Sequence, residues 1–125
     1  MKKRILTEAA PQAVGPYSQA MEKSGILFIS GQIPLDPVTG EMVEGDIADQ
    51  TKRVLSNIDG ILKAAGYHKD DVVKCTCLLA DIADFKEMNT VYAGYFDFEP
   101  PARAAYEVAS LPLGARIEIE AIAIK

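Results

Sequence analysis

The residues best suited to act on a small molecule lie near the C-terminus. Arg103 opens a run of small residues within PPARAAYEVA (100–109). Read as a strand, this run puts Arg103, Ala105, Glu107 and Ala109 on one face, and the alanines leave space beside the guanidinium. A guanidinium is planar and matches a carboxylate bidentately, so Arg103 is a candidate grip for a small acid. A salt bridge to Glu118 or Glu120 is the structural alternative. Those two glutamates lie in IEIEAIAIK (117–125), which alternates with period two. Ile117, Ile119, Ala121 and Ala123 share one face; Glu118, Glu120, Ile122 and Ile124 share the other. The two acids sit one strand repeat apart, about 7 Å. If partly buried, at least one has a raised pKa, which suits general acid–base work. Two solvated acids are the plainer reading, but the same face turns apolar at Ile122, which an ordinary half-buried strand would not do.

Three further stretches offer polar groups. Asn89 lies four residues after Phe85 and three before Tyr92, on the inner face of a predicted helix, where its amide needs partners. It either ties that helix to a loop or points at a ligand. Gly15-Pro16-Tyr17-Ser18 and Ser30-Gly31-Gln32 are turn-forming stretches beside strands, and backbone N–H groups around a glycine can hold an anion. Cys75 and Cys77 are the only cysteines and His68 the only histidine. The thiols therefore lack partner ligands for a metal and read as buried strand residues, sharing a face with Val73 and Leu79. No Ser/His or Cys/His pair, phosphate loop or dinucleotide fingerprint is present, so any chemistry is mild.

The elements that must position these residues follow from periodicity and punctuation. KKRIL (2–6), SQAMEKSG (18–25) and ILFIS (26–30) read as strands, the last a continuous apolar run expected to be buried on both faces. A long loop punctuated by Pro34, Pro37 and Gly40 follows. Asp46 caps a helix whose Ile47, Thr51, Val54, Leu55, Ile58, Ile61, Leu62 and Ala65 recur at helical spacing, and Gly66 closes it. DVVKCTCLLA (71–80) is a strand. The segment 84–97 is a second helix, with Asp84 as N-cap and Phe85, Met88, Tyr92, Tyr95 and Phe96 inward. PPARAAYEVA and ARIEIEAIAIK supply the last two strands. The order β-β-β-α-β-α-β-β predicts an α+β fold, with two helices on one face of a mixed sheet. The other face then needs a partner, and a copy of the same chain is the commonest one.

Composition sets the outer limits. The 125 residues make one domain with one substantial core, 49% hydrophobic and 25% charged. A net charge of −5 argues against nucleic-acid binding, which needs a basic surface. MKKRILTEAAPQ lacks the apolar stretch of a secretory signal, and no run is long enough to span a membrane, so a soluble cytoplasmic protein is expected.

GPYSQA (15–20), SGQIPLDPVTGE (30–41), PPARAAYEVASLP (100–112) and IEIEAIA (117–123) resemble the motifs of the reactive-intermediate deaminases, the Rid or YjgF-like family. The resemblance runs from about residue 8 to the C-terminus and makes residues 1–125 a single Rid/YjgF-like domain of RidA type. It implies a chorismate-mutase-like α+β fold, a six-stranded mixed sheet with two helices on one face, assembled as a homotrimer with sites between subunits. It implies hydrolysis of 2-iminopropanoate and 2-iminobutanoate, tautomers of 2-aminoacrylate and 2-aminocrotonate, to 2-oxo acids and ammonia, without a cofactor. Carried over to this chain, Arg103 grips the substrate carboxylate and Glu118 positions and activates water. Tyr17, Ser30, Gly31 and Asn89 line the cleft. One departure is Ala105, where many relatives have cysteine, so no thiol role carries over. A non-catalytic module that binds 2-oxo acids in the same cleft is the alternative function. A ribonuclease reading, attached to some relatives, sits poorly with the acidic charge and the single histidine.

Overall fold

The computed structural model describes every residue, Met1–Lys125. Strands β1 (Lys3–Ile5), β2 (Ala20–Lys23) and β3 (Ile26–Gln32) precede helix α1 (Ile47–Ala65). Strand β4 (Val72–Leu79), helix α2 (Phe85–Tyr95), β5 (Ala102–Glu107) and β6 (Ile117–Ile124) complete the chain. The sheet runs β1-β2-β3-β6-β4-β5. Only β4 and β5 pair in parallel, and α2 connects them; every other neighbouring pair is antiparallel. This is the expected mixed α+β sheet.

Helix α1 forms where local signals agree. The Asp46 carboxylate accepts from the Asp49 N–H at 3.0 Å, and Asp49 accepts in return from the Asp46 N–H at 3.2 Å. That reciprocal capping satisfies two otherwise orphaned donors. Gly66 ends the helix at φ 80°, a left-handed conformation that costs glycine little. Between these caps, Val54, Leu55, Ile58, Ile61 and Leu62 form a buried stripe against the sheet. Each buried aliphatic side chain contributes about 1.5–3 kcal/mol before entropic costs.

The facing side of the sheet is equally apolar. Strand β6 lies at its centre, and Ile117, Ile119, Ala121 and Ala123 are all buried, as the alternation requires. Leu27, Ile29, Cys75, Cys77 and Leu79 join them, with Met88 and Tyr92 from α2 and Phe96 just beyond its end. The opposite sheet face carries no helix. There Met21, Phe28 and Ile122 lie side by side across β2, β3 and β6, and Phe28 and Tyr106 are 49% and 51% exposed. Strand β3 is thus covered on one face only within a single chain, a correction to the two-sided burial expected from its apolar run.

Two bulges adjust which side chains face where. Between Val72 and Lys74 strand β4 advances two residues while β6 advances one, from Ala123 to Ile122. The extra residue turns Val73 outward, so Val72, not Val73, joins the buried row of Cys75, Cys77 and Leu79. Between Ile29 and Gln32, β3 advances three residues against two on β6, placing the irregularity at Ser30-Gly31. The start of α2 also differs from expectation. Asp84 makes no capping bond, because its carboxylate takes two hydrogen bonds from Arg116 at 2.9 and 3.1 Å. A short 3₁₀ turn (Ile82–Asp84) precedes the helix instead, capped by Asp81 through the Ala83 N–H.

Candidate active site

The bulge in β3 builds the first part of the site. It brings Gly31 against Glu118 of β6 so closely that a β-carbon on residue 31 would collide with the Glu118 carboxylate. Glu118, Ser30, Gly31 and Tyr17 line one groove of about 570 Å³ together with Gln12 and Leu113. Leu113, a leucine held at φ 56°, stands 73% exposed beside it. Strain of this kind persists only where surrounding structure enforces it. Glu118 is half-buried, and burial, followed by the charge of Glu120, raises its pKa above the ordinary carboxylate value. Its ionised and neutral forms therefore lie closer in energy than in water, which suits a group that takes a proton and returns it. The Ser30 hydroxyl donates to the Ser18 carbonyl at 2.6 Å, so toward any ligand Ser30 Oγ is an acceptor.

Buried amides hold the walls of this groove. Gln19, 1% exposed, accepts from the Thr7 N–H at 2.8 Å and donates toward the carbonyls of Thr7, Ala10 and Pro11. It folds the N-terminal segment over the groove. Asn57, fully buried on α1, donates to the Leu35 carbonyl at 3.0 Å and receives the Arg53 Nε–H at 3.1 Å. It anchors the loop that follows Gly31. Neither was among the sequence candidates. Asn57 did leave a signal, since it falls at helical spacing from Val54 and Ile61 on the apolar stripe.

Arg103 is elsewhere. It lies on β5 opposite Cys75 and therefore on the helix-covered side of the sheet. Its Nη1 donates to Asn89 Oδ1 at 2.7 Å, and the guanidinium carbon stands 4.8 Å from the Tyr92 ring centre and 5.4 Å from that of Phe85. Asn89 is thus neither a simple helix–loop tie nor aimed at open space: it holds Arg103. A small pocket of about 320 Å³ opens here, lined by Asn89, Tyr92, Phe96, Pro100, Pro101 and Arg103. Asn89 takes the one side-chain hydrogen bond that Arg103 makes within the chain.

The six candidates therefore form two groups. Tyr17, Ser30, Gly31 and Glu118 gather in one groove; Asn89 and Arg103 sit together in another pocket. Glu118 alternates with the buried Ile117 and Ile119 and so points to the uncovered sheet face, whereas Arg103 points to the helix side. No ion pair joins Arg103 to Glu118 or Glu120 within the chain. Glu120 is exposed and borders a neighbouring groove with Phe28 and Ile122. Both thiols are buried, and burial pushes Cys75 up to about 11 and Cys77 up to about 12, away from the thiolate form. No three His, Cys, Asp or Glu side chains converge as a metal site would require.

A two-helix layer on one face of a six-stranded mixed sheet, with a pocket-lining arginine and a half-buried acid, defines a class of small α+β proteins. The family described as Endoribonuclease L-PSP matches residues 7–125, and the chain belongs to this family, also called Rid or YjgF. A RutC family protein of Pyrococcus horikoshii is 58% identical over 125 residues, covering 100% of this chain and 99% of that protein. A 2-iminobutanoate/2-iminopropanoate deaminase of Bos taurus is 53% identical, covering 100% of this chain and 91% of that protein. The crystal structure of E. coli TdcF with bound serine superposes with a TM-score of 0.95 at 41% identity, over 98% of each chain.

Proposed function

We propose that this chain is a 2-iminobutanoate/2-iminopropanoate deaminase that works as a homotrimer, with each site completed between two subunits. One observation carries the reading. Arg103 with Asn89, and Glu118 with Tyr17, Ser30 and Gly31, are two incomplete halves on opposite sides of one sheet. Each half lacks what the other supplies, and the uncovered face bearing Phe28, Ile122 and Tyr106 is apolar enough to bury against a second copy. The deaminase name of a relative at 53% identity supports the reaction, and the serine bound to TdcF supports a small amino- or imino-acid ligand.

In this reading Arg103 holds the substrate carboxylate bidentately and fixes the adjacent C2. Glu118 takes a proton from water as the water oxygen bonds to C2 and the C=N π pair moves to nitrogen. Glu118 returns that proton to nitrogen to give the carbinolamine. The hydroxyl proton then passes through Glu118 to the amine as an oxygen lone pair forms C=O and the C–N bond breaks, releasing ammonia and the 2-oxo acid. An imine carbon is electrophilic already, so positioning and one proton shuttle suffice without a covalent intermediate. The test is decay of enamine generated by a threonine dehydratase. Wild type should accelerate that decay and Arg103→Ala should not. Equal decay with and without the wild-type protein would leave only ligand binding.

A further inference from the structure

We infer that Tyr92 is a positioning residue for Arg103 and that it acts through its ring face, not its hydroxyl. This rests on the reading of Arg103 as the carboxylate grip. Helix α2 presents Phe85, Asn89 and Tyr92 at spacings of four and three residues, one surface of the helix. All three meet the same guanidinium. Asn89 fixes one edge by a hydrogen bond, while Tyr92, whose ring centre is the nearer of the two at 4.8 Å, supports it by cation–π attraction.

The Tyr92 hydroxyl has no comparable task. Tyr92 is 5% exposed, and its oxygen is the buried side-chain polar atom that finds no hydrogen-bond partner. The Cys75 thiol beside it is a weak acceptor at best. The ring, by contrast, is locked. Its centre lies 4.9 Å from that of Phe96, which packs edge-on against Tyr95 at 4.7 Å, and the Tyr95 hydroxyl donates to Asp59 of α1 at 2.7 Å. The stack ties the arginine's seat to both helices. An arginine side chain left unsupported samples many rotamers, and a bidentate grip would then have to order it on each binding event.

The experiment measures 2-oxobutanoate binding by calorimetry in wild type, Tyr92→Phe, Tyr92→Leu and Arg103→Lys, with sedimentation on each. Order parameters of the Arg103 Nε–H are measured in the ligand-free wild type. Tyr92→Phe should bind within about twofold of wild type, because the ring remains. Tyr92→Leu should assemble as wild type does yet bind about 5- to 30-fold more weakly, and in turnover this loss should fall on KM and leave kcat nearly unchanged. The Arg103 Nε–H should be rigid before ligand arrives. Wild-type binding by Tyr92→Leu, equal losses in the Phe and Leu variants, or a mobile Arg103 Nε–H would each overturn the inference. If Tyr92→Leu does not fold, the wild-type order parameter decides. Unchanged binding by Arg103→Lys would instead defeat the carboxylate-grip reading, a separate result.

Discussion

Gly31→Ala tests whether the position of the Glu118 carboxylate matters to the reaction. A β-carbon at residue 31 would stand 2.9 Å from Glu118 Cδ and 3.2 Å from Cγ, with the carboxylate oxygen closer still. Carbon atoms pack comfortably at about 3.5 Å or more, so Cδ must withdraw by at least about 0.6 Å and the oxygen by more. The backbone itself is no obstacle, because Gly31 is not in a left-handed conformation. The conflict is with the flexible end of a side chain, so the fold should survive with a stability change of about 1 kcal/mol or less. The chemistry should not. A displacement near 1 Å in a positioned group commonly costs about 10²-fold, and that is the loss expected in coupled imine decay. Sedimentation and thermal melting on the same sample establish that the protein is intact. A folded Gly31→Ala protein with wild-type turnover would refute the placement of Glu118 as the acid that handles water.

The two glutamates of β6 should separate cleanly. Glu118→Gln keeps size but removes the base and should lower turnover about 10²-fold, the low end for a general acid–base group, while Glu120→Gln should leave the rate nearly unchanged; the reverse pattern in intact protein would move the assignment by one strand repeat. The raised pKa of Glu118 also sets a sign for stability against pH. Burial favours the neutral carboxyl, so that contribution is fully present below the ordinary carboxylate range and is lost as pH rises through the raised folded value. Glu118→Gln, neutral throughout, should gain stability relative to wild type as pH rises above the ordinary carboxylate range, and denaturant melts showing a falling difference would contradict the burial argument.

What could be read from sequence was what depends on near neighbours. Asp46, Gly66 and the apolar spacing between them define α1 without help from the rest of the chain, and the alternation of β6 sorts its buried and open faces. Interactions across long separations were not legible. Asp84 resembled a helix cap because its partner, Arg116, lies 32 residues away. Simple alternation along β4 points Val73 inward, and the bulge that turns it out exists only relative to the strand beside it. Residue chemistry and strand or helix phase single out Arg103, Glu118 and Asn89, the family resemblance assigns their roles, and the structure gathers the candidates in two groups. Their separation could not be foreseen, since the phase of Arg103 against Glu118 is set by the register of both strands on β4. Gln19 and Asn57 were missed because a buried amide is recognised by the carbonyls it meets, and those belong to loops without a periodic pattern. The inward face of α2 predicts Phe85 and Tyr92 in the core; Tyr92 is buried, Phe85 is half-buried, and both rings also lie against the Arg103 guanidinium.

The central claim is that one working site takes Arg103 from one chain and Glu118 from another. It is tested most directly by mixing chains that are each inactive. Arg103→Ala and Glu118→Gln chains, unfolded together in equal amounts and reassembled, should regain imine hydrolysis. In a ring of three, every mixed assembly contains one boundary with both residues intact, so random mixing should restore about a quarter of wild-type activity. The separately reassembled variants should show almost none. Mixed assemblies that form, as seen by tagged-chain capture, yet remain as inactive as the separate variants would contradict a shared site.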